Sequence, residues 1–229
     1  MSETFWVADT HLDHDAIRRH CKRPFDTLDA MNQSIASIWN GIVSNKDLVY
    51  IVGDFAWRNH RKWINELNGR KVLIVGSHDQ MPQDVLDLFQ GELTEEKKRL
   101  AVELHLTKMQ FREVHTLLDR VICGQRMTLC HCPMVSWNSS VHGAWCIHGH
   151  CHGRRKESLP GRIGGGLILD VGWDIWKKPI NFDELRCEMK IKLDMMPQGF
   201  RDHVLKGTPL IRIDKDESDT DSGGNDVSV

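Results

Sequence analysis

Three short apolar runs recur along this chain, at 5–8, 48–52 and 72–75, the last two rich in branched residues, and each stops where polar chemistry begins. The first ends at Asp9; the other two end at Gly53 and Gly76, which are followed by Asp54 and Ser77. Runs of this length bounded by turn residues predict buried strands that deliver a side chain at their carboxyl ends. Between them, Thr27 can cap a helix whose apolar positions Leu28, Met31, Ile35 and Ile38 step by three and four. A second, shorter helix suits residues 60–67. Strands alternating with helices argue for an α/β fold.

The second half changes rhythm. Mixed charge with Leu100 and Leu104 predicts a helix starting near Thr94. Segments 115–123 and 126–131 then flank Gly124-Gln125 and predict a hairpin, because a glycine supplies the positive φ of a tight turn. Two further strands are predicted at 145–148 and 167–171, separated by a loop carrying Gly161, Gly164, Gly165 and Gly166. Asn181 and Glu184 have the spacing of a capping box, and residues 190–193 and 210–213 follow without an assigned element. Residues 214–229 are acidic and nearly free of apolar side chains, so they predict a disordered tail after one domain spanning 1–213.

Composition narrows the function classes. With 229 residues, 40% of them apolar, the chain can bury a sizeable core. Lys and Arg total 30 against 32 Asp and Glu, so no global positive field favours duplex DNA or an anionic membrane. No leader pattern or run of about 18 apolar residues occurs, which predicts no membrane partner. Seven cysteines, an odd number in a chain of this length, predict reduced thiols and a cytoplasmic location.

The polar residues after the strands form an ordered series. Asp9-Thr10-His11, Gly53-Asp54, Gly76-Ser77-His78-Asp79, His131 and Gly149-His150-Cys151-His152 follow one another along the chain. In a chain with 13 histidines each piece alone is weak, and the joint order carries the signal. Hard divalent cations take carboxylate oxygens and imidazole nitrogens, and a shared carboxylate holds two ions about 3.5–4 Å apart, a spacing that clamps a phosphoryl group. Asp54 is the candidate bridge. Water held between two cations becomes acidic enough to supply hydroxide near neutral pH, which would attack phosphorus in line.

In these motifs the chain resembles the calcineurin-like metallophosphoesterases, whose series runs D-x-H, G-D, G-N-H-D or G-N-H-E, H, and G-H-x-H. The likeness spans Asp9 to His152 and extends to about Leu185, where Leu169 to Asp174, Trp176 and Pro179 resemble the closing segment of small bacterial and phage members. The resemblance implies a four-layer α-β-β-α sandwich of two mixed β-sheets flanked by helices. It implies one ion on Asp9, His11, Asp54 and His152, and a second on Asp54, Ser77, His131 and His150. Two divalent ions are expected, Mn²⁺ first, with Fe, Ni, Co or Zn as alternatives that such ligands discriminate poorly.

Ser77 departs from the family, which carries asparagine there, and a hydroxyl on the β-carbon ligates more weakly than an amide oxygen on a longer reach. His78 matches the histidine that assists the leaving oxygen or steadies the transition-state charge. Asp79 is expected to brace the backbone or its neighbour rather than touch substrate. Trp57 replaces the second aspartate of many relatives, and Arg58 matches the adjacent arginine, either binding phosphate or simply solvated. His14 either reaches substrate or serves the start of a helix. His148 is expected to pack behind the ligands. Cys130, Cys132 and Cys151 flank ligand histidines without paired C-x-x-C spacing, so buried neutral thiols are preferred to a zinc-thiolate site.

The expected activity is hydrolysis of a small phosphomonoester or phosphodiester. Arg154, Arg155 and Lys156 could rim the cleft, and Trp137 and Trp145 could stack a base or lie in the core. A nuclease or nucleotide phosphodiesterase of the same fold, with a nucleotide or nucleic-acid partner, is therefore one alternative. A binding scaffold with a degraded metal site is the other, kept open by Ser77 and Trp57.

Overall fold

The three apolar runs become neighbouring parallel strands. In this computed structural model, which describes residues 2–79, 91–92, 111–154 and 166–207, β1 (Thr4–Val7) pairs with β2 (Leu48–Val52), and β2 with β3 (Arg70–Ile74). β5 (Phe111–His115) continues the parallel set beside β3. β10 (Ile180–Asn181) and β4 (Gly91–Glu92) run antiparallel at the two edges, giving a six-stranded mixed sheet in the order β10-β1-β2-β3-β5-β4. A second mixed sheet has the order β6-β7-β8-β9, from β6 (Leu117–Ile122), β7 (Gln125–Cys130), β8 (Trp145–His148) and β9 (Leu167–Asp170). Two mixed sheets flanked by helices make the α/β sandwich that the sequence led one to expect.

Alternation along the strands divides the core. Phe5, Val7, Val49, Ile51 and Leu73 face α1 (Asp15–His20), α2 (Leu28–Ile42) and α3 (His60–Glu66), packing with Ile17, Met31, Ile35, Trp39, Trp63 and Ile64. Trp6, Tyr50, Val52, Val72 and Ile74 face the other way and meet Met127, Leu129, Trp145, Ile147, Leu167 and Leu169 of the second sheet. Beyond β9 lie the single-turn α4 (Trp173–Trp176), α5 (Phe182–Asp194) and α6 (Gln198–Gly207). Leu185, Met189 and Leu193 of α5 join the inter-sheet core. On the second sheet's outer side, Cys146 and Ile168 pack with Met134, Trp137 and Ala144.

Local chemistry explains the boundaries. Thr27 accepts a hydrogen bond from Ala30 N at the start of α2, as its position predicts. The buried stripe of that helix is Met31, Ile35 and Trp39, whereas Ile38 is exposed, so the sequence periodicity put one turn on the wrong face. The expected hairpin divides differently. His115 ends β5 in the first sheet, and the chain crosses to the second sheet at Thr116 before β6 begins. Its turn falls on Cys123-Gly124, both at positive φ, which matches the strand twist. Segment 190–193, left unassigned by the sequence, is the continuation of α5. The helix expected from Thr94, the loop glycines 161–165, segment 210–213 and the tail 214–229 lie outside the described residues. No described helix is long and apolar enough to cross a membrane.

The capping box at α5 is complete: Glu184 N donates to Asn181 Oδ1, and Asn181 N donates to Glu184 Oε2. Asn181→Ala is expected to cost about 1 kcal/mol of unfolding free energy in urea titrations, the usual value of such a cap. An unchanged midpoint would remove the box from the account of this helix.

Candidate metal centre

β1, β2 and β3 point the same way, so Asp9, Asp54 and the Ser77-His78 segment all emerge at one end of the first sheet. The second sheet delivers His131 after β7 and His150 and His152 after β8 to the same place. The sheets are tied directly beneath it, where Ala8 N donates to Val171 O and Trp173 N to Ala8 O. Asp9, His11, Asp54 and His131 are buried, His152 is half-buried, and His150 and Ser77 are exposed.

Backbone strain concentrates on these residues. Asp9, His11, Asp54, His150 and His152 all take left-handed φ, between 50° and 70°. Such a conformation costs a non-glycine residue about 1 kcal/mol or more and persists only where the surroundings enforce it. Two glycines permit the crowding. A Cβ on Gly53, itself at φ 86°, would sit 2.2 Å from His131 Nδ1, and one on Gly149 would sit 2.6 Å from Asp9 Oδ2.

Two groups result. Asp9, His11 and His152 offer ligand atoms within 4.8 Å of one another, and so do Asp54, His131 and His150. Asp54 joins them, its Oδ2 lying 3.5 Å from His11 Nε2 and 3.2 Å from His131 Nε2. Both of these ring nitrogens are buried, with no hydrogen-bond partner of good geometry among the described residues. His131 Nδ1 lies 2.9 Å from Val52 O, which can only accept, so the neutral ring carries its proton there and turns its Nε2 lone pair toward a carboxylate oxygen. Lone pairs aimed at a carboxylate in a dry site repel unless a proton or cation stands between them. The donor set fits divalent cations on this ground. Ser77 Oγ is 3.4 Å from both Asp54 oxygens.

The remaining expected residues divide. His78 N donates to Asp54 Oδ1 at 2.7 Å, and its half-buried ring lies 5.1 Å from that of His11. Asp79 braces backbone as expected, accepting from Phe55 N and Gly76 N at 2.8 Å each. His14 is the N-cap residue of α1 but its side chain makes no cap hydrogen bond. Its Nδ1 lies 3.2 Å from His11 Nδ1, and its ring stacks on Trp57 at 4.6 Å. Trp57 thus holds an imidazole by its face. Arg58 is exposed and makes no hydrogen bond or ion pair among the described residues. His148 is buried behind the site, with Nδ1 2.8 Å from Gly149 O. Trp137 and Trp145 are core residues. The flanking cysteines are not the buried thiols expected: Cys132 is exposed, Cys130 and Cys151 half-exposed. Arg154 reaches His20 O, while Arg155 and Lys156 lie outside the described residues.

Sequence reasoning missed Arg23 and did not give Asp174 a role. Arg23 is buried and clamps both oxygens of Asp174, at 2.9 and 2.8 Å, and Asp174 Oδ2 lies 2.7 Å from His152 Nδ1. Arg23-Pro24 follows no motif, so only the fold brings it here. Cys21 lies near His152 and Asp174 as well. Burial pushes its thiol up to about 11 and Arg23 already occupies the carboxylate, so that trio is a hydrogen-bonded support rather than a third cation group.

Burial dominates the electrostatics. It pushes Asp9 up to about 7 and His11 far below the ordinary histidine range. Burial would also raise Asp54, but the contacts from His131, His78 N and His11 outweigh it and hold the carboxyl well below its usual range. Burial by itself would lower His131, yet the Asp54 carboxylate reverses this and carries it up to about 9. Without a cation, His131 therefore keeps a proton near neutrality, and a cation must displace it. Proton release on Mn²⁺ binding, and affinity rising between about pH 6 and 9, are the expected outcomes. Calorimetry in buffers of different ionisation enthalpy measures the release, and an enthalpy independent of buffer would contradict it. Ser77→Asn is expected to tighten the weaker of two Mn²⁺ binding events in the same titrations; unchanged binding would show that position 77 does not ligate.

No protein-family profile matches the chain. It is similar to an uncharacterized protein of Methanocaldococcus jannaschii, 28% identical over 198 residues that make up 84% of this chain and 92% of that one. It is also similar to the gene 66 protein of Mycobacterium phage L5, 24% identical over 81% of this chain and 93% of the relative. The gene 66 protein of Mycobacterium phage D29 is 25% identical over 81% and 95%. Among solved structures, a protein of unknown function from Aquifex aeolicus superposes with a TM-score of 0.56 at 20% identity, covering 82% of this chain and 99% of that one. That likeness establishes a shared fold.

Proposed function

We propose that the protein is a dinuclear metal-dependent phosphoesterase of the calcineurin-like kind, a hydrolase of small phosphomonoesters or phosphodiesters. One observation carries the reading: a single Asp54 oxygen faces two buried, unpartnered imidazole nitrogens, one from each group of ligands. Asp9, His11, Asp54 and His152 would hold one cation, and Asp54, His131, His150 and, weakly, Ser77 the other. Such ions, Mn²⁺ by preference, supply Lewis acidity toward a phosphoryl oxygen and make water acidic at neutral pH.

The chain's own residues divide the remaining work. Asp54 is held by His78 N, so the carboxylate cannot swing away from either group. His78, beside His11 and at the half-exposed side of the site, is positioned to give a proton to the leaving oxygen. Trp57 and His14 wall that side, keeping the His78 ring within 5.4 Å of both. The exposure of His150 and Ser77 leaves substrate a way in. Trp137 and Trp145 are buried and so neither is free to stack a base, and the simpler small-ester reading is preferred to a nuclease.

A panel of phosphomonoesters and phosphodiesters assayed with Mn²⁺ tests this. Turnover is expected to fall to background in Asp54→Ala and by about 10²–10⁴-fold in His78→Ala, the usual contribution of a positioned acid. Hydrolysis that persists in Asp54→Ala, or none in the parent with any transition metal, would sink the proposal.

A further inference from the structure

Arg23 is the most heavily used side chain near the site, and none of its contacts is to a ligand side chain. Its guanidinium is buried, with a relative exposure of 1%. Nη1 donates to Thr10 O and Nη2 to Asp9 O, at 2.8 and 2.7 Å, gripping the left-handed turn that carries Asp9 and His11. Nε and Nη2 donate to the two oxygens of Asp174, across 151 positions of sequence. Asp174 in turn takes His152 Nδ1 at 2.7 Å. One cation thus ties the first motif of the series to the last.

We propose that Arg23 and Asp174 are a positioning pair that sets the tautomer and aim of His152 and locks it against the Asp9 turn. The proposal rests on the metal-centre reading above. Asp174 accepts, so the neutral His152 ring carries its proton on Nδ1 and presents the Nε2 lone pair on the side of Asp9, whose Oδ1 is 4.0 Å away. The bidentate guanidinium fixes the carboxylate in that plane, as a single ammonium would not. It is also the nearer of the two basic side chains paired with Asp174, with Lys177 Nζ farther off at 3.7 Å from Oδ1. A backing carboxylate of this sort is typically worth 10–100-fold in metal affinity. The other group has a different arrangement: His131 is backed by a backbone carbonyl, Val52 O, so the pair serves one cation and not both.

Mn²⁺ titration of the full chain by calorimetry provides the test, with Asp174→Asn and Arg23→Lys as variants. Asp174→Asn keeps shape and an acceptor oxygen while removing the charge; Arg23→Lys keeps the charge while removing the fork. In both, one of two binding events is expected to weaken about 10–100-fold while the other is unchanged. In the metal-free protein, ¹⁵N NMR is expected to find a proton on His152 Nδ1 and to find it moved in Asp174→Ala. A purely structural pair would lower the melting temperature and weaken both events alike, which overturns the proposal. So would Mn²⁺ affinity and a His152 tautomer untouched by these changes, leaving the metal centre itself standing. A wild-type chain that binds no divalent cation would overturn both.

Discussion

Two buried imidazole nitrogens face one carboxylate oxygen at the end of this sandwich, and wherever such a nitrogen presents a lone pair the arrangement is unfavourable unless positive charge stands between them. Val52 O fixes which nitrogen of His131 is protonated, and Asp54 is held by His78 N and by the close approach of Gly76. Either a proton or a metal ion must answer. The upward displacement of His131 and the downward displacement of Asp54 describe the proton's answer. The unpartnered nitrogens on both sides describe the room left for metal.

Building such a site takes two sheets. Parallel strands deliver Asp9 and Asp54 side by side, but no turn of the first sheet can also supply imidazoles from the opposite side. The second sheet does so, with His131 held by the Gly149 N–H to its carbonyl and His150 N donating to both oxygens of Asp9. The five left-handed ligand residues are the local cost of this convergence. The inter-sheet core of Trp6, Tyr50, Met127, Leu129 and Trp145 supplies the burial that makes the strain tolerable.

Charge balance shapes the rest. Asp9, Asp54, Asp170 and Asp174 converge on a volume with one buried arginine. Asp170 is satisfied by backbone, accepting from Gly172 N and Gly153 N, and Asp174 by Arg23. Asp9 and Asp54 also take backbone N–H donors, from His150 and His78, and differ in lying among the imidazole nitrogens of His11, His131 and His152.

Much of this was written in the sequence. The branched runs ending at polar residues specified the parallel strands, the Asn181 to Glu184 spacing specified a helix start, and the order of the histidine motifs selected residues that the structure brings within ligand distance. Those signals are legible because they are local: a strand, a cap or a turn depends on a few neighbouring residues. Other features could not be read there. Ile38 matched the helical period yet faces solvent, His115 looked like hairpin but closes a strand of the other sheet, and Trp57 looked like a missing aspartate but supports His14. Arg23 carried no motif at all. What it does depends on Asp174, 151 residues away, and only the closing of two sheets into one sandwich decides which distant side chains share a dry volume and must satisfy one another's charge.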